Sequence, residues 1–231
     1  MKKNILYICH SYCSFQKDSI ESMAKYFKNV TVLVRSNPLI DISKYFHVNS
    51  LKQSRSDKKI DIRNMPSNVK VYSTPIIYFP VDSQYKKLGE KHLRIVENFI
   101  EKYNIKYDII HSNFTWSAGY VGAKLKEKYG VPFLVTAHGY DIYDLPFRDV
   151  EWRSKIENVL NSADAIITVS NSNLECIKKL DVNTPVTVLP NGYREDLFYL
   201  SDIYESRRLL NLPSNKKVIL SVGNLEEVKG H

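Results

Sequence analysis

Histidines stand at or near the ends of three apolar runs in this 231-residue sequence: "NILYICH", "YDIIHSN" and "VPFLVTAHG". They are His10, His111 and His138, and the last is followed at once by Gly139. A neutral imidazole in such a position can donate a hydrogen bond to a hydroxyl or carbonyl oxygen, and glycine lets a ligand come close to the backbone. His138 is therefore the first candidate for chemistry.

Polar residues also follow two further apolar runs, so that five predicted strands end in groups that can bind a ligand. The candidates are His10, Ser11 and Ser14; His111, Ser112 and Asn113; His138, Gly139 and Asp141; Ser170 and Asn171; and Asn191 and Gly192. Each of them alone is typical of a turn or a helix cap. Because the carboxyl ends of parallel strands share one sheet edge, the five sets together predict a binding cleft there.

The elements that must position these residues alternate along the chain. Short runs rich in β-branched residues predict strands at 4–10, 29–36, 68–77, 107–113, 131–139, 164–170 and 185–192. Apolar residues at three- and four-residue spacing predict helices at 17–28, 86–103, 117–129, 150–162 and 171–180. Continuous apolar strands between helices predict an α/β fold, a doubly wound Rossmann-like parallel sheet of about seven strands.

The sequence disfavours three other classes of site. A dinucleotide enzyme needs G-x-G-x-x-G after its first strand, and "CHSYCSFQ" contains no glycine. Cys9, His10 and Cys13 lack the paired spacing of a metal site, so no metal is expected. Nucleic acid is not an expected partner, because the aromatic residues are spread through the chain and are not interleaved with cations on one face.

The cysteine content and the net charge indicate in which cellular compartment the protein works. The three cysteines are too few for a disulfide framework, which predicts a cytoplasmic protein. The net charge of +8 permits an anionic partner, and much of it lies in 41–67, a polar stretch predicted to be a surface loop. This charge suggests peripheral contact with the anionic inner face of a membrane.

Four later segments carry a resemblance to a known family. They are "YDIIHSNFTWSAGYVGAKLKEKYGVPFLVTAHGYDIY", "ADAIITVSNSNLECI", "VTVLPNGYREDLF" and "VILSVGNLEEVKGH". In order and spacing they resemble the amino-terminal half of family 4 glycosyltransferases, which have the GT-B fold. The first 100 residues resemble the family less closely.

The resemblance implies an enzyme that moves a sugar from a nucleotide-sugar to a glycan or lipid-linked acceptor, with retention of configuration and no obligatory metal or other cofactor. It implies that His138 lies near the transferred sugar and that Asn191 and Gly192 border the cleft. It also implies that the loop His10 to Ser14 faces donor phosphates or acceptor, although "SYCSF" stands where the family often has two glycines. Asn224 and Lys229 fall where the family holds the donor diphosphate, with asparagine at a position that is often arginine.

The same resemblance predicts the domain organisation. Residues 1–200 are expected to form the acceptor-side domain, 201–216 a linker, and 217–231 the first strand and loop of a second Rossmann-like domain. The donor-sugar carboxylates of the family are expected beyond residue 231, so these residues alone are expected to be inactive. Two alternatives stay open: a glycan-binding module without catalysis, and a related nucleotide-sugar epimerase.

Asp141 and Asp144 resemble an acid–base pair, because they are three residues apart after the same strand. They could equally cap the next helix or pair with Arg148 and Arg153. The sequence favours this second interpretation, in which they support the loop, although Asp141 remains a candidate contact for substrate.

Overall fold

A computed structural model describes residues 2–42, 45 and 55–223. The chain is divided into two compact units, Met1–Gly192 and Tyr193–His231. The strands are β1 Asn4–Cys9, β2 Asn29–Ser36, β3 Val69–Pro75, β4 Ile109–Asn113, β5 Phe133–Ala137, β6 Ala165–Thr168 and β7 Val186–Val188. The longer helices of the first unit are α1 Ser14–Ala24, α5 Leu88–Lys102, α6 Tyr120–Tyr129, α9 Val150–Ser162 and α10 Asn171–Ile177. Its short helices are α2 Pro38–Ile42, α3 Ser56–Lys59, α4 Asp82–Lys86, α7 Tyr140–Tyr143 and α8 Leu145–Arg148, and a single irregular turn occupies Thr115–Gly119.

All seven strands pair in parallel in one sheet, in the order β3-β2-β1-β4-β5-β6-β7. The chain therefore runs outward from β1 in one direction and then from β4 in the other. The predicted doubly wound sheet of seven strands is confirmed. Its strand order reverses between β1 and β4, and crevices that bind ligands form at such a reversal, beyond the carboxyl ends of the strands.

The sheet is covered on both faces, which explains why its strands are continuously apolar. In β1, Leu6 and Ile8 belong to one hydrophobic cluster, whereas Ile5, Tyr7 and Cys9 belong to a second. Successive side chains of a strand point to opposite faces, so alternate residues of β1 fill the two layers.

The first cluster includes the indoles of Trp116 and Trp152, whose rings meet edge to face at 5.4 Å. Gly122 of α6 faces Phe133 of β5, and a Cβ on this glycine would lie 2.2 Å from the Phe133 ring. Only glycine allows the helix to approach the sheet so closely.

Two segments differ from their predictions. Within 41–67, residues 56–59 form α3 and Ile60 bridges Tyr12, so the described part of this stretch packs onto the β1–α1 loop and is not wholly a solvated loop. In the second unit α11 spans Ile203–Leu209 and is capped by Asp202, but the described residues 217–223 form no strand. An extended segment becomes a strand only by pairing with a neighbour, and in the part of the chain described here residues 217–223 have none.

Candidate functional site

Three neighbouring strands deliver side chains to the point where the strand order reverses. Nε2 of His138, which follows β5, lies 2.8 Å from Oδ1 of Asn113, the last residue of β4. Nδ2 of Asn113 in turn donates to Sγ of Cys9, the last residue of β1, at 3.3 Å. The imidazole is thus held by a hydrogen-bonded chain that crosses β5, β4 and β1.

This arrangement assigns the tautomer of His138. The amide oxygen of Asn113 can only accept, so Nε2 of His138 carries the hydrogen and Nδ1 keeps a lone pair. Burial lowers the pKa of His138 to about 4, so the ring is neutral near pH 7. Nδ1 is buried and has no hydrogen-bond partner within the described ranges. The hydrogen that the sequence analysis expected His138 to donate to a ligand is therefore used inside the protein, and its free nitrogen is an acceptor.

Aromatic rings flank this histidine, and sequence reasoning missed them. Phe114 stacks on His10 at 4.5 Å with an interplanar angle of 6°, and it meets His138 at 4.7 Å and 45°. Phe15 contacts His138 at 5.3 Å and is 41% exposed. Phe114 has a φ of 75°, a backbone conformation that costs energy for any residue except glycine. Its position directly after β4 was the available signal.

Asp141 organises the turn that presents His138. Its Oδ1 accepts hydrogen bonds from the backbone N–H groups of His138 at 3.1 Å and Gly139 at 2.8 Å, and its Oδ2 accepts one from Thr115 at 2.9 Å. The side chain is fully buried, and burial raises its pKa while these donors oppose the rise. All three donors are backbone N–H groups. Asp141 therefore fixes the loop and is not free to serve as a catalytic base.

Asp144 is engaged elsewhere. Its Oδ2 accepts a hydrogen bond from Nε of Arg148 at 2.6 Å, whereas Arg153 pairs with Glu157. Helix α9 is capped by Asp149, which accepts from the N–H of Trp152. The two aspartates do not form an acid–base pair.

A group of buried basic and polar side chains lies beside His10, and the sequence analysis did not single it out. Nη1 of Arg35, in β2, donates to Oγ of Ser117 at 2.9 Å, and Nδ1 of His92 is 2.9 Å from the same oxygen. Burial lowers the pKa of His10 well below its usual value, and the charges of Arg35 and Lys59 lower it further. The end of β2 and helix α3 therefore contribute charge to the site.

The other predicted site residues lie in different surroundings. His111 is in the middle of β4 with Nε2 2.8 Å from Oγ1 of Thr136, so it lies within the sheet and not beyond its edge. Oγ of Ser170 caps α10 by accepting from the N–H of Asn173, which is the cap interpretation. Ser14 is exposed at the start of α1.

Two remaining pairs are not brought to His138 by any described contact. Asn191 and Gly192 are exposed beyond β7, at one edge of the sheet. Asn224 and Lys229 lie outside the described residues. No group of three or more His, Cys, Asp or Glu side chains that could hold a metal ion occurs in the described part of the chain.

Comparison with known proteins identifies the family. The family model for Glycosyltransferase Family 4 matches residues 47–197, well over half of the chain. The chain belongs to glycosyltransferase family 4. The family's match spans α3 through β7 and includes Asn113, His138 and Asp141.

Two curated family members show how much of such a protein the chain represents. A D-inositol 3-phosphate glycosyltransferase of Corynebacterium jeikeium is 31% identical over 144 residues, which cover 57% of the chain and 34% of that protein. A candidate teichuronic acid biosynthesis glycosyltransferase, TuaC of Bacillus subtilis, is 28% identical over 149 residues, covering 62% of the chain and 38% of TuaC. The chain thus spans well under half the length of these relatives.

The fold also matches a solved structure. The chain superimposes on sucrose-phosphate synthase of Thermosynechococcus elongatus with a TM-score of 0.56 and 17% identity, covering 90% of the chain and 97% of that structure. At this identity the likeness establishes the Rossmann-like fold expected for a GT-B glycosyltransferase. None of the described helices is long and apolar enough to span a bilayer.

Proposed function

We propose that this family 4 glycosyltransferase chain is the acceptor-side half of a retaining enzyme that transfers a hexose from a nucleotide-sugar to a glycan or lipid-linked acceptor. The observation that carries the proposal is the neutral His138, held by Asn113 at the reversal of strand order, whose Nδ1 has no hydrogen-bond partner among the residues that the structure describes. A neutral acceptor nitrogen there can bind a sugar hydroxyl without adding a charge to the cleft. The rings of Phe15 and Phe114 provide apolar surface beside it.

The chemistry divides between this half and a nucleotide-binding half. Residues 1–200 bind the acceptor, 201–216 form a linker, and the segment from 217 begins the second domain. Asn224 and Lys229 contact the donor diphosphate, where a cation stabilises the charge that develops as the nucleotide leaves. No metal or other cofactor is required in this scheme, because side chains supply the positive charge. His10, Ser14, Asn113 and Gly139 line the acceptor side, and Asn191 and Gly192 border the cleft between the halves.

Turnover and stereochemistry test the proposal. We expect residues 1–231 alone to form no product from UDP-glucose, UDP-N-acetylglucosamine or GDP-mannose, and a protein that also carries the nucleotide-binding half to form product. The anomeric configuration of that product, read by NMR, is expected to match the donor. Inversion would contradict the retaining mechanism, and turnover by residues 1–231 alone would contradict the division between halves.

The role of His138 has its own test in the protein that carries both halves. His138→Ala is expected to lower kcat by about 100-fold, the typical size of a contribution from one positioned side chain. His111→Ala is the matched control, because His111 lies within the sheet and contacts Thr136. A His138→Ala protein with unchanged kcat would remove this histidine from the proposal.

We also propose that the protein works in the cytoplasm, at the inner face of the membrane. The free thiols of Cys9, Cys13 and Cys176 and the net charge of +8 support this setting. Sedimentation with vesicles of phosphatidylglycerol is expected to exceed sedimentation with phosphatidylcholine. Equal sedimentation with the two lipids would contradict the membrane contact.

A further inference from the structure

Arg35 is a buried cation without a carboxylate partner in the described part of the chain. It is 6% exposed at the carboxyl end of β2. Nη1 donates to Oγ of Ser117 at 2.9 Å, and the buried Nε has no hydrogen-bond partner within the described ranges. The rings of Tyr78 and Tyr85 lie 5.6 and 5.8 Å from its guanidinium carbon. Rings stabilise a cation but do not neutralise it.

A second cation, Lys59 at the end of α3, contacts the backbone of Arg35. Its Nζ donates to the backbone oxygen of Arg35 at 3.4 Å, and the side chain is half-buried. Asp41 acts on Lys59 electrostatically, but both of its oxygens already accept hydrogen bonds from Ser56 at 2.7 Å. The sequence from 43 to 54, which joins α2 to the residue before α3, contains no aspartate or glutamate.

Holding two cations together out of water is unfavourable unless an anion joins them. The remaining polar neighbours of Arg35 do not provide one. His92 is fully buried, and its Nδ1 lies 2.9 Å from Oγ of Ser117. His10 is a basic residue and carries no negative charge. In the described part of the chain the two cations therefore outnumber the one carboxylate, Asp41, that acts on either of them, and both oxygens of Asp41 are engaged by Ser56.

We propose that Arg35 and Lys59 bind a phosphate monoester carried by the acceptor. Two cations match a dianion, and Nε of Arg35, which has no partner in the described part of the chain, is a donor for a phosphate oxygen. Both cations act on His10, which stacks on Phe114 beside His138, so the anion lies at the acceptor end of the cleft. The assignment of the phosphate to the acceptor rests on the proposed function, whereas the anion site itself rests on Arg35 and Lys59.

Inorganic phosphate is the direct probe, with the 231-residue chain and the variants Arg35→Met and Lys59→Met. Phosphate is expected to raise the Tm of the wild-type chain, because a ligand that binds only the folded state stabilises it. Each variant is expected to bind phosphate at least about 10-fold more weakly, which is the loss expected for one charge-assisted contact. Lys58→Met is the matched control, since Lys58 is exposed in the same helix.

Arg35→Met also separates a ligand site from a structural role. In phosphate-free buffer its Tm is expected to equal or exceed that of the wild-type chain, because the change removes an uncompensated buried charge. An equal Tm response to phosphate in the wild-type chain, Lys59→Met and Arg35→Met would overturn the site. If Arg35→Met fails to fold, the Lys59→Met response alone decides.

Other ligands distinguish the source of the anion. Glucose 6-phosphate is expected to bind more tightly than inorganic phosphate, and glucuronate, which carries one charge, more weakly than either. Tighter binding of glucuronate would overturn the phosphate assignment, and UDP binding that depends on Arg35 would overturn the assignment to the acceptor. Phosphate binding that depends on Arg35 and Lys59, in a protein whose two halves together form no product, would keep the anion site and reject the proposed function.

Discussion

Asn113 and His138 form a hydrogen bond of 2.8 Å between the ends of β4 and β5, with the amide oxygen of Asn113 as acceptor. The side chain of Asn113 is 7% exposed and its amide nitrogen is fixed by Cys9. In this orientation the amide oxygen meets His138 and the amide nitrogen meets Cys9. Asn113 therefore sets which nitrogen of His138 is available.

Asn113→Asp is expected to raise the pKa of His138 from about 4, because a carboxylate at this distance favours the imidazolium. The rise is expected to be about 1 to 3 pH units, the size that an adjacent opposite charge produces. An NMR titration of the His138 ring protons measures it. Asn158→Asp, an exposed change on α9, is the control, and an unmoved His138 pKa in Asn113→Asp would argue against the contact.

The buried histidines make the fold sensitive to mild acid. Burial lowers the pKa to about 3 for His92 and to about 4 for His111 and His138. Between pH 6.5 and 4 the unfolded chain thus binds protons that the folded chain does not. The free energy of unfolding is expected to fall as pH decreases through this window, by up to about 1.4 kcal/mol per pH unit for each histidine.

Urea unfolding at a series of pH values measures this slope. His111→Gln is expected to make it shallower than in the wild-type chain, because one proton-binding difference is lost. Lys128→Gln is the control, since a lysine keeps its charge throughout the window. An unchanged slope in His111→Gln would contradict the buried neutral state of His111.

Phe114 has an unfavourable backbone conformation, and its ring packs against the candidate site. Its φ of 75° suits glycine, whereas its ring contacts the rings of both His10 and His138. Phe114→Gly and Phe114→Ala both remove the ring, so their comparison isolates the backbone. We expect the glycine variant to be more stable than the alanine variant by about 1 to 2 kcal/mol in urea unfolding. The opposite order would show that this conformation is not strained.

Sequence patterns predicted the sheet because its strands are buried on both faces, so that β1 and β2 read as apolar runs whichever face each residue takes. They also predicted Asn113 and His138, because a residue just after a strand must lie at the sheet edge. Arg35 was missed for a physical reason. It sits inside β2, and its partners Ser117 and Lys59 are 82 and 24 residues away, so no local spacing indicates the cluster. His111 was placed at the edge because it stands near the end of its apolar run, but it lies two residues before Asn113, the last residue of β4.

Lys59 provides a test at alkaline pH. Burial, then the charge of Arg35, lower the pKa of Lys59 to about 8, against opposing effects from Asp41 and Cys13. Between pH 8 and its ordinary value of 10.5, the unfolded chain keeps the proton that the folded chain has lost. The free energy of unfolding of the wild-type chain, relative to Lys59→Met, is therefore expected to rise with pH across this window.

Urea unfolding of both proteins in phosphate-free buffer measures the difference, and Lys58→Met, at an exposed position of α3, is expected to show no such rise. A bound phosphate would restore the proton to Lys59, so added phosphate should move the rise to higher pH. A difference that stays constant from pH 8 to 10.5 would mean that neither burial nor Arg35 lowers the pKa of Lys59 in the folded chain.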